Sequence, residues 1–85
     1  MKLLTWYVYI LLCSNRSLYT GISTHPYKRF IEHKNGTGGK YTRSFPPLKI
    51  IYQEKVPTKS AALKREAEIK KWSRTKKIQE LKLTI

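Results

Sequence analysis

The stretch WYVYILLC, Trp6 to Cys13, decides the fold. Three aromatic rings fall within its first four residues, and an unbroken apolar run follows. Aromatic and β-branched side chains at this density read as a buried strand rather than a helix. Tyr7 and Tyr9 lie two residues apart, so both rings face the same side of a sheet. They serve either as packing material or as groups aimed at a ligand, and the stretch alone leaves both readings open.

Downstream of this strand, Ser14-Asn15-Arg16-Ser17 is a turn cluster and Leu18–Ile22 reads as a second strand, which makes a hairpin. A turn centred on Asn15 sets Leu11 opposite Tyr19 and Tyr9 opposite Gly21. Tyr7, Tyr9 and Tyr19 then share one face. Gly21 leaves bare backbone across from Tyr9, a place where a ligand or another backbone can come close. A bulge beside a tyrosine-rich core face is the alternative. Ser23 or Thr24 is expected to cap a helix with Pro26 in its first turn, running to about Asn35 and stopped by Gly36. Residues 37–47 read as a loop rich in glycine and lysine. Leu48–Val56 reads as a third strand. Thr58 or Ser60 caps a second helix through about Trp72, and residues 75–83 form a short third one. The order β-β-α-β-α-α predicts an α+β fold in one domain over residues 1–85: a small, mainly antiparallel three-stranded sheet with flanking helices.

Charge says most about partners. Lys and Arg number 18 against 5 acidic residues, a formal net charge of +13 on 85 residues. Such an excess does nothing for folding and points to a polyanion, with nucleic acid first and an anionic membrane or acidic protein as alternatives. A solubilising surface is the plainer account. The single cysteine, Cys13, excludes an internal disulfide and a cysteine-rich zinc site. The N-terminal MKLLTWYVYILLC resembles a weak signal peptide, but it lacks a small-residue cleavage site and is read as strand. No stretch reaches the ~20 apolar residues of a membrane span. A cytoplasmic protein with no membrane role and no small-molecule substrate is expected.

Two helices carry chemistry-bearing side chains. On the first, Tyr27, Phe30 and Ile31 form the expected apolar stripe, and Arg29 and His33, four residues apart, flank it. A cation stacked on an imidazole there suits an oxyanion or phosphate; a boundary Arg and a partly exposed His are the plainer account. On the second, Ala62, Leu63, Ala67 and Ile69 make the expected apolar face, and Glu66 falls within it. A carboxylate is rarely buried unpaired, so Glu66 needs Arg29, another cation or a metal. Glu68 points to solvent. Aspartate is absent from the sequence. A divalent ion would therefore find one inward carboxylate and keep several waters, as Mg²⁺ does beside a phosphate.

Taken in order, Tyr-Val-Tyr at 7–9, Tyr-Thr-Gly at 19–21, Arg29 and His33 on the next helix and Glu66 on a later one resemble the GIY-YIG nuclease domain over nearly the whole chain. The wording WYVYILLCSNRSLYTGIS, KRFIEH and SAALKREAEIKKW is most similar to the small stand-alone bacterial members. Tyr7 stands where the first motif has glycine, and Thr20 where the second has isoleucine. The resemblance implies a metal-dependent endonuclease acting on DNA. It places Tyr9 and Tyr19 as the motif tyrosines, one of them helping to activate a water. Arg29 is implied on the scissile phosphate, His33 in proton transfer, and Glu66 as the ligand of a single Mg²⁺ or Mn²⁺. A phenol is a poor base at its free pKa of about 10, so the metal or nearby cations are expected to lower it.

Binding residues complete the expectation. Lys40, Tyr41 and Arg43 in the glycine-rich loop are candidates for nucleic-acid contact, as are Lys70, Lys71 and Arg74 in the basic C-terminal segment. Contacts of this kind are sequence-independent and salt-sensitive. Lacking a second module to choose a site, the domain is expected to be directed by DNA structure or damage. The alternatives are a non-catalytic nucleic-acid-binding domain and a nuclease subunit that needs a protein partner for activity or specificity.

Overall fold

The computed structural model describes residues 4–85, in the order β1 (Trp6–Cys13), β2 (Leu18–Ser23), α1 (Pro26–Lys34), α2 (Lys40–Ser44), β3 (Pro47–Val56), α3 (Lys59–Lys70) and α4 (Arg74–Leu81). The first three residues of the signal-like N-terminal stretch lie outside the described residues.

The hairpin forms in the expected register, with Leu11 opposite Tyr19 and Tyr9 opposite Gly21. Its turn shows why. Asn15 Oδ1 accepts from the Ser17 backbone N–H at 3.1 Å, a local Asx bond that competes with strand pairing and closes the chain. Arg16 takes the left-handed conformation at φ 70°. β3 then pairs antiparallel with the free edge of β1, which gives the sheet order β2-β1-β3 and puts WYVYILLC in the middle. Both neighbours of β1 hydrogen-bond to it, so an apolar strand sits where exposed edges cannot harm it.

The two faces of β1 meet different partners. Val8 and Ile10 pack with Ala62 and Ile69 of α3 and with Leu83 beyond α4; Trp6, Ile22, Tyr52 and Trp72 close the rim. Tyr9, Leu11 and Cys13 pack with Tyr19, Phe30 and Ile50 under α1. α3 is capped as expected, Thr58 Oγ1 accepting from the Ala61 N–H at 3.0 Å. α4 is capped by Ser73, which accepts from Lys76 at 3.1 Å. No helix among the described residues is long and apolar enough to cross a membrane.

Several expectations fail locally. The segment expected to be wholly loop holds the short helix α2, in which Phe45 N–H reaches the Tyr41 carbonyl. Neither Ser23 nor Thr24 caps α1; the cap position is His25, whose N–H bonds Ser23 Oγ. Tyr27 is 69% exposed and leaves the expected stripe. On α3, Leu63 is 47% exposed and Ala67 is exposed as well. The inward face is Ala62, Arg65, Glu66 and Ile69 instead. Arg65 takes that place because Glu54 on β3 receives its Nε and the Trp72 ring lies 5.3 Å from its guanidinium carbon. A satisfied guanidinium with its stem packed on a ring can do the work of an apolar side chain at that position.

Candidate active site

β1, β2 and α1 bring three of the expected residues into contact. Tyr9, 1% exposed, places its hydroxyl 3.1 Å from His33 Nε2. The Tyr19 ring stands edge-on to the His33 ring at a centroid distance of 5.0 Å. The space left at Gly21 is filled by Tyr9 itself: a Cβ at position 21 would lie 2.6 Å from the Tyr9 hydroxyl oxygen. The bare backbone thus admits the phenol of the facing strand rather than a ligand, and the hairpin register delivers that phenol to His33.

The glycine-rich segment performs the same service on the other side of His33. A Cβ on Gly38 would overlap the imidazole and lie 2.9 Å from His33 Cα. The backbone of the glycine-rich segment is laid against the histidine. Thr42 of α2 follows and places its hydroxyl 2.6 Å from His33 Nδ1. Tyr41 stacks on Tyr19 at 6.2 Å and 20°, and its hydroxyl meets Ser17 Oγ at 2.5 Å and Asn15 Nδ2 at 3.2 Å. Tyr41 therefore stands in the wall of the site.

Arg29 lies on the same helix as His33. Its Nη2 donates to the Gly38 carbonyl at 2.8 Å and its Nη1 pairs with Glu32 at 3.1 Å. Glu66 does not pair with Arg29; its side chain is 18% exposed and its Oε2 meets Lys70 Nζ at 3.2 Å. Both charges nonetheless act on Tyr9. Burial raises the Tyr9 pKa well above that of a free phenol, Tyr19 adds to the rise, Arg29 opposes it, and Glu66 adds a smaller rise. The nearby cation alone does not give the expected lowering, because desolvation outweighs it. Burial and then Arg29 lower the His33 pKa, against a smaller pull from Glu32, which favours the neutral imidazole.

The remaining candidates are spread over the surface. Lys70 lines a cleft of about 360 Å³ with Leu18, Tyr19, Thr20, Tyr41 and Lys77. Burial and then Lys70 lower the Lys77 pKa, so two ammonium groups crowd one side of that cleft. Arg74 ties α4 to the hairpin turn through the Arg16 carbonyl. Lys40, Arg43 and Lys71 are exposed and make no hydrogen bond to the tyrosine–histidine cluster among the described residues.

A resident divalent ion would have to rest on little protein. Among the described residues no three His, Cys, Asp or Glu gather to hold one. Glu66 keeps some exposure, and its only partner among the described residues is Lys70, whose own side chain is 53% exposed and free to withdraw. That fits an ion that binds one carboxylate, keeps its waters and shares phosphate oxygens, and does not fit an all-protein cage. The site contacts of Thr42, Gly38, Ser17 and Asn15 escaped the sequence reading, which placed Asn15 and Ser17 only in the turn. Nothing in a turn cluster or a glycine-rich segment marks a hydroxyl for a histidine nine positions upstream.

Residues 5–79 match the family described as the GIY-YIG catalytic domain. UPF0213 protein SSP2268 of Staphylococcus saprophyticus is 52% identical over 73 residues, 86% of this chain and 89% of that protein. UPF0213 protein H16_B0156 of Cupriavidus necator is 51% identical over 72 residues, 85% of this chain and 78% of that one. These relatives are thus little longer than the domain itself. Among solved structures, the solution NMR structure of EF2693 from E. faecalis superposes with a TM-score of 0.64 at 46% identity, over 92% of this chain and 83% of that one. The NMR structure of UPF0213 protein BH0048 from Bacillus halodurans gives 0.58 at 40% identity, with the same two coverages.

Proposed function

This chain belongs to the GIY-YIG catalytic domain family, whose fold carries endonuclease-type chemistry, and we propose that it is a metal-dependent endonuclease that hydrolyses DNA phosphodiester bonds under the direction of DNA structure or damage. The observation that carries this reading is the buried Tyr9–His33 hydrogen bond, set where Arg29 and Glu66 both act on the Tyr9 phenol.

With its pKa raised, Tyr9 is a neutral phenol near pH 7 and takes a proton from an attacking water as its own proton leaves. His33 Nε2, at 3.1 Å and unprotonated, is the acceptor in place. One proton moves from water to the Tyr9 oxygen while another moves from that oxygen to His33, so a buried tyrosinate never accumulates. The water oxygen bonds to phosphorus and the P–O ester bond breaks. The Arg29 guanidinium stabilises charge growing on the phosphate oxygens. Glu66, released by Lys70, would hold Mg²⁺ or Mn²⁺, which when bound stabilises the departing oxygen. Lys70 and Lys77 at the neighbouring cleft then neutralise the backbone on either side.

The test is incubation of the purified protein with plasmid, flap, junction and single-stranded DNA, with Mg²⁺ or EDTA. Cleavage that needs Mg²⁺ and disappears in Glu66→Ala is expected. Cleavage that survives EDTA or that substitution rejects the assignment. Binding without cleavage on every substrate leaves the nucleic-acid-binding reading, which the net charge of +13 favours.

A further inference from the structure

His33 is fully buried, and both its ring nitrogens face hydroxyls: Tyr9 at 3.1 Å from Nε2 and Thr42 at 2.6 Å from Nδ1. A neutral imidazole carries one N–H, so one contact is donated by the ring and the other accepted. Two arrangements satisfy that rule. In the first, Nδ1–H donates to Thr42 Oγ1, Nε2 accepts the Tyr9 proton, and the Thr42 proton turns toward the Gly39 carbonyl at 3.5 Å. In the second, Nε2–H donates to Tyr9 and Thr42 donates to Nδ1. The phenol proton then has no acceptor among the described residues, inside a site where an unpaired donor is costly. Satisfaction of the whole chain selects the first.

We propose that Thr42 is a positioning residue: with Nε2 accepting from Tyr9, it accepts the one proton left on Nδ1 and so holds the ring, in that tautomer, with its Nε2 lone pair facing Tyr9. The catalytic meaning rests on the nuclease reading above, but the tautomer itself does not. The ring cannot escape by turning over. Gly38 lies so close that even a methyl group would overlap the imidazole, and Tyr19 stands against it on another side. Thr42 is itself 1% exposed and held by α2, in which Arg43 N–H bonds the Gly39 carbonyl at 3.1 Å. A threonine hydroxyl both accepts and donates, which lets it take the ring proton and still place its own. Valine has nearly the same shape and can do neither. Serine keeps the hydroxyl and loses the methyl.

Long-range ¹⁵N–¹H NMR on the imidazole nitrogens reads the tautomer directly, in the protein without DNA. The wild type and Thr42→Ser are expected to carry a hydrogen-bonded proton on Nδ1. In Thr42→Val that proton stays on Nδ1, since Tyr9 still needs Nε2, but loses its acceptor, so its resonance should move upfield and its exchange with water quicken. With single-turnover and steady-state cleavage as the second readout, Thr42→Val should lose roughly 10- to 100-fold in kcat at nearly constant KM, the usual effect of removing the partner that orients a functional histidine. Thr42→Ser should restore most of it. A wild-type ring protonated on Nε2, or an Nδ1 proton whose resonance and exchange are unchanged in Thr42→Val, overturns the proposal. If no DNA is cut, the NMR comparison still decides the tautomer and the nuclease reading falls alone. Should Thr42→Val fail to fold, the wild-type and Thr42→Ser spectra decide it.

Discussion

The two faces of β1 divide the labour of a very small protein. The even-numbered face, Val8 and Ile10 against α3 and α4, is apolar and makes no demand beyond packing. The odd-numbered face, Tyr9 against α1 and α2, is equally buried but is organised around a hydrogen-bonded chain from Tyr9 through His33 to Thr42. Burial on the first face supplies free energy. Burial on the second sets proton affinities, raising that of Tyr9 and lowering that of His33. One strand can do both because its period of two sends neighbours to opposite solvents.

Substitutions on the two faces should separate along that line. Tyr9→Phe keeps the ring and removes the proton path, so cleavage should fall by roughly 10²- to 10⁴-fold, the span of general acid–base effects; thermal melting should show a fold retained. If cleavage stays within tenfold, Tyr9 belongs with the packing face after all. Ile10→Ala does the reverse, costing about 2–5 kcal/mol of stability for a fully buried site, measured by urea unfolding, while cleavage per folded molecule stays near wild type. Gly21→Ala forces a methyl group onto the Tyr9 hydroxyl and joins the two effects: about 1–3 kcal/mol of overpacking, together with displacement of the Tyr9 and His33 rings in NMR. An unchanged Tyr9–His33 contact would contradict the close fit across the hairpin.

Acid should weaken the site face selectively. Because the folded protein holds the His33 pKa below its ordinary 6.5, the unfolded chain binds more protons as pH falls beneath that value. The contribution of His33 is therefore fully present above pH 6.5 and is lost between there and its lower folded pKa. Unfolding free energies measured from pH 7 downward should fall more steeply for the wild type than for His33→Gln. The smallest effect belongs to a residue of neither face. Leu63→Ala should change stability by no more than about 0.5 kcal/mol, since Leu63 is 47% exposed; a loss of 2 kcal/mol or more in urea unfolding would restore the apolar stripe that helical spacing suggests.

The hairpin, its register and the strand–helix order were legible because each rests on local chemistry: Asn15 in the turn, alternation in β1, Thr58 as a cap. The residues Tyr9, Tyr19 and His33 were legible for the same reason, since register and helical spacing place them. α2 was not, because five residues behind two glycines are too short to show a period. The inward face of α3 was misread because Arg65 packs through its stem and an ion pair with Glu54, and spacing alone favours Leu63. The partners of Glu66 and His33 depended on which elements meet in space. Lys70 lies one turn from Glu66, whereas Thr42 reaches His33 only once the glycine segment folds back over α1.

The central position of β1 also fixes the order in which the site comes apart. Tyr9 sits on the strand with backbone bonds on both sides, so its amide is released to solvent exchange only when the sheet as a whole opens. Thr42 sits on a five-residue helix and Tyr19 on an edge strand, both able to open at lower cost. As the protein warms, the proton chain loses its outer end first and the phenol last. Any function that depends on the proton chain should then be lost before the sheet melts and return on cooling without refolding it.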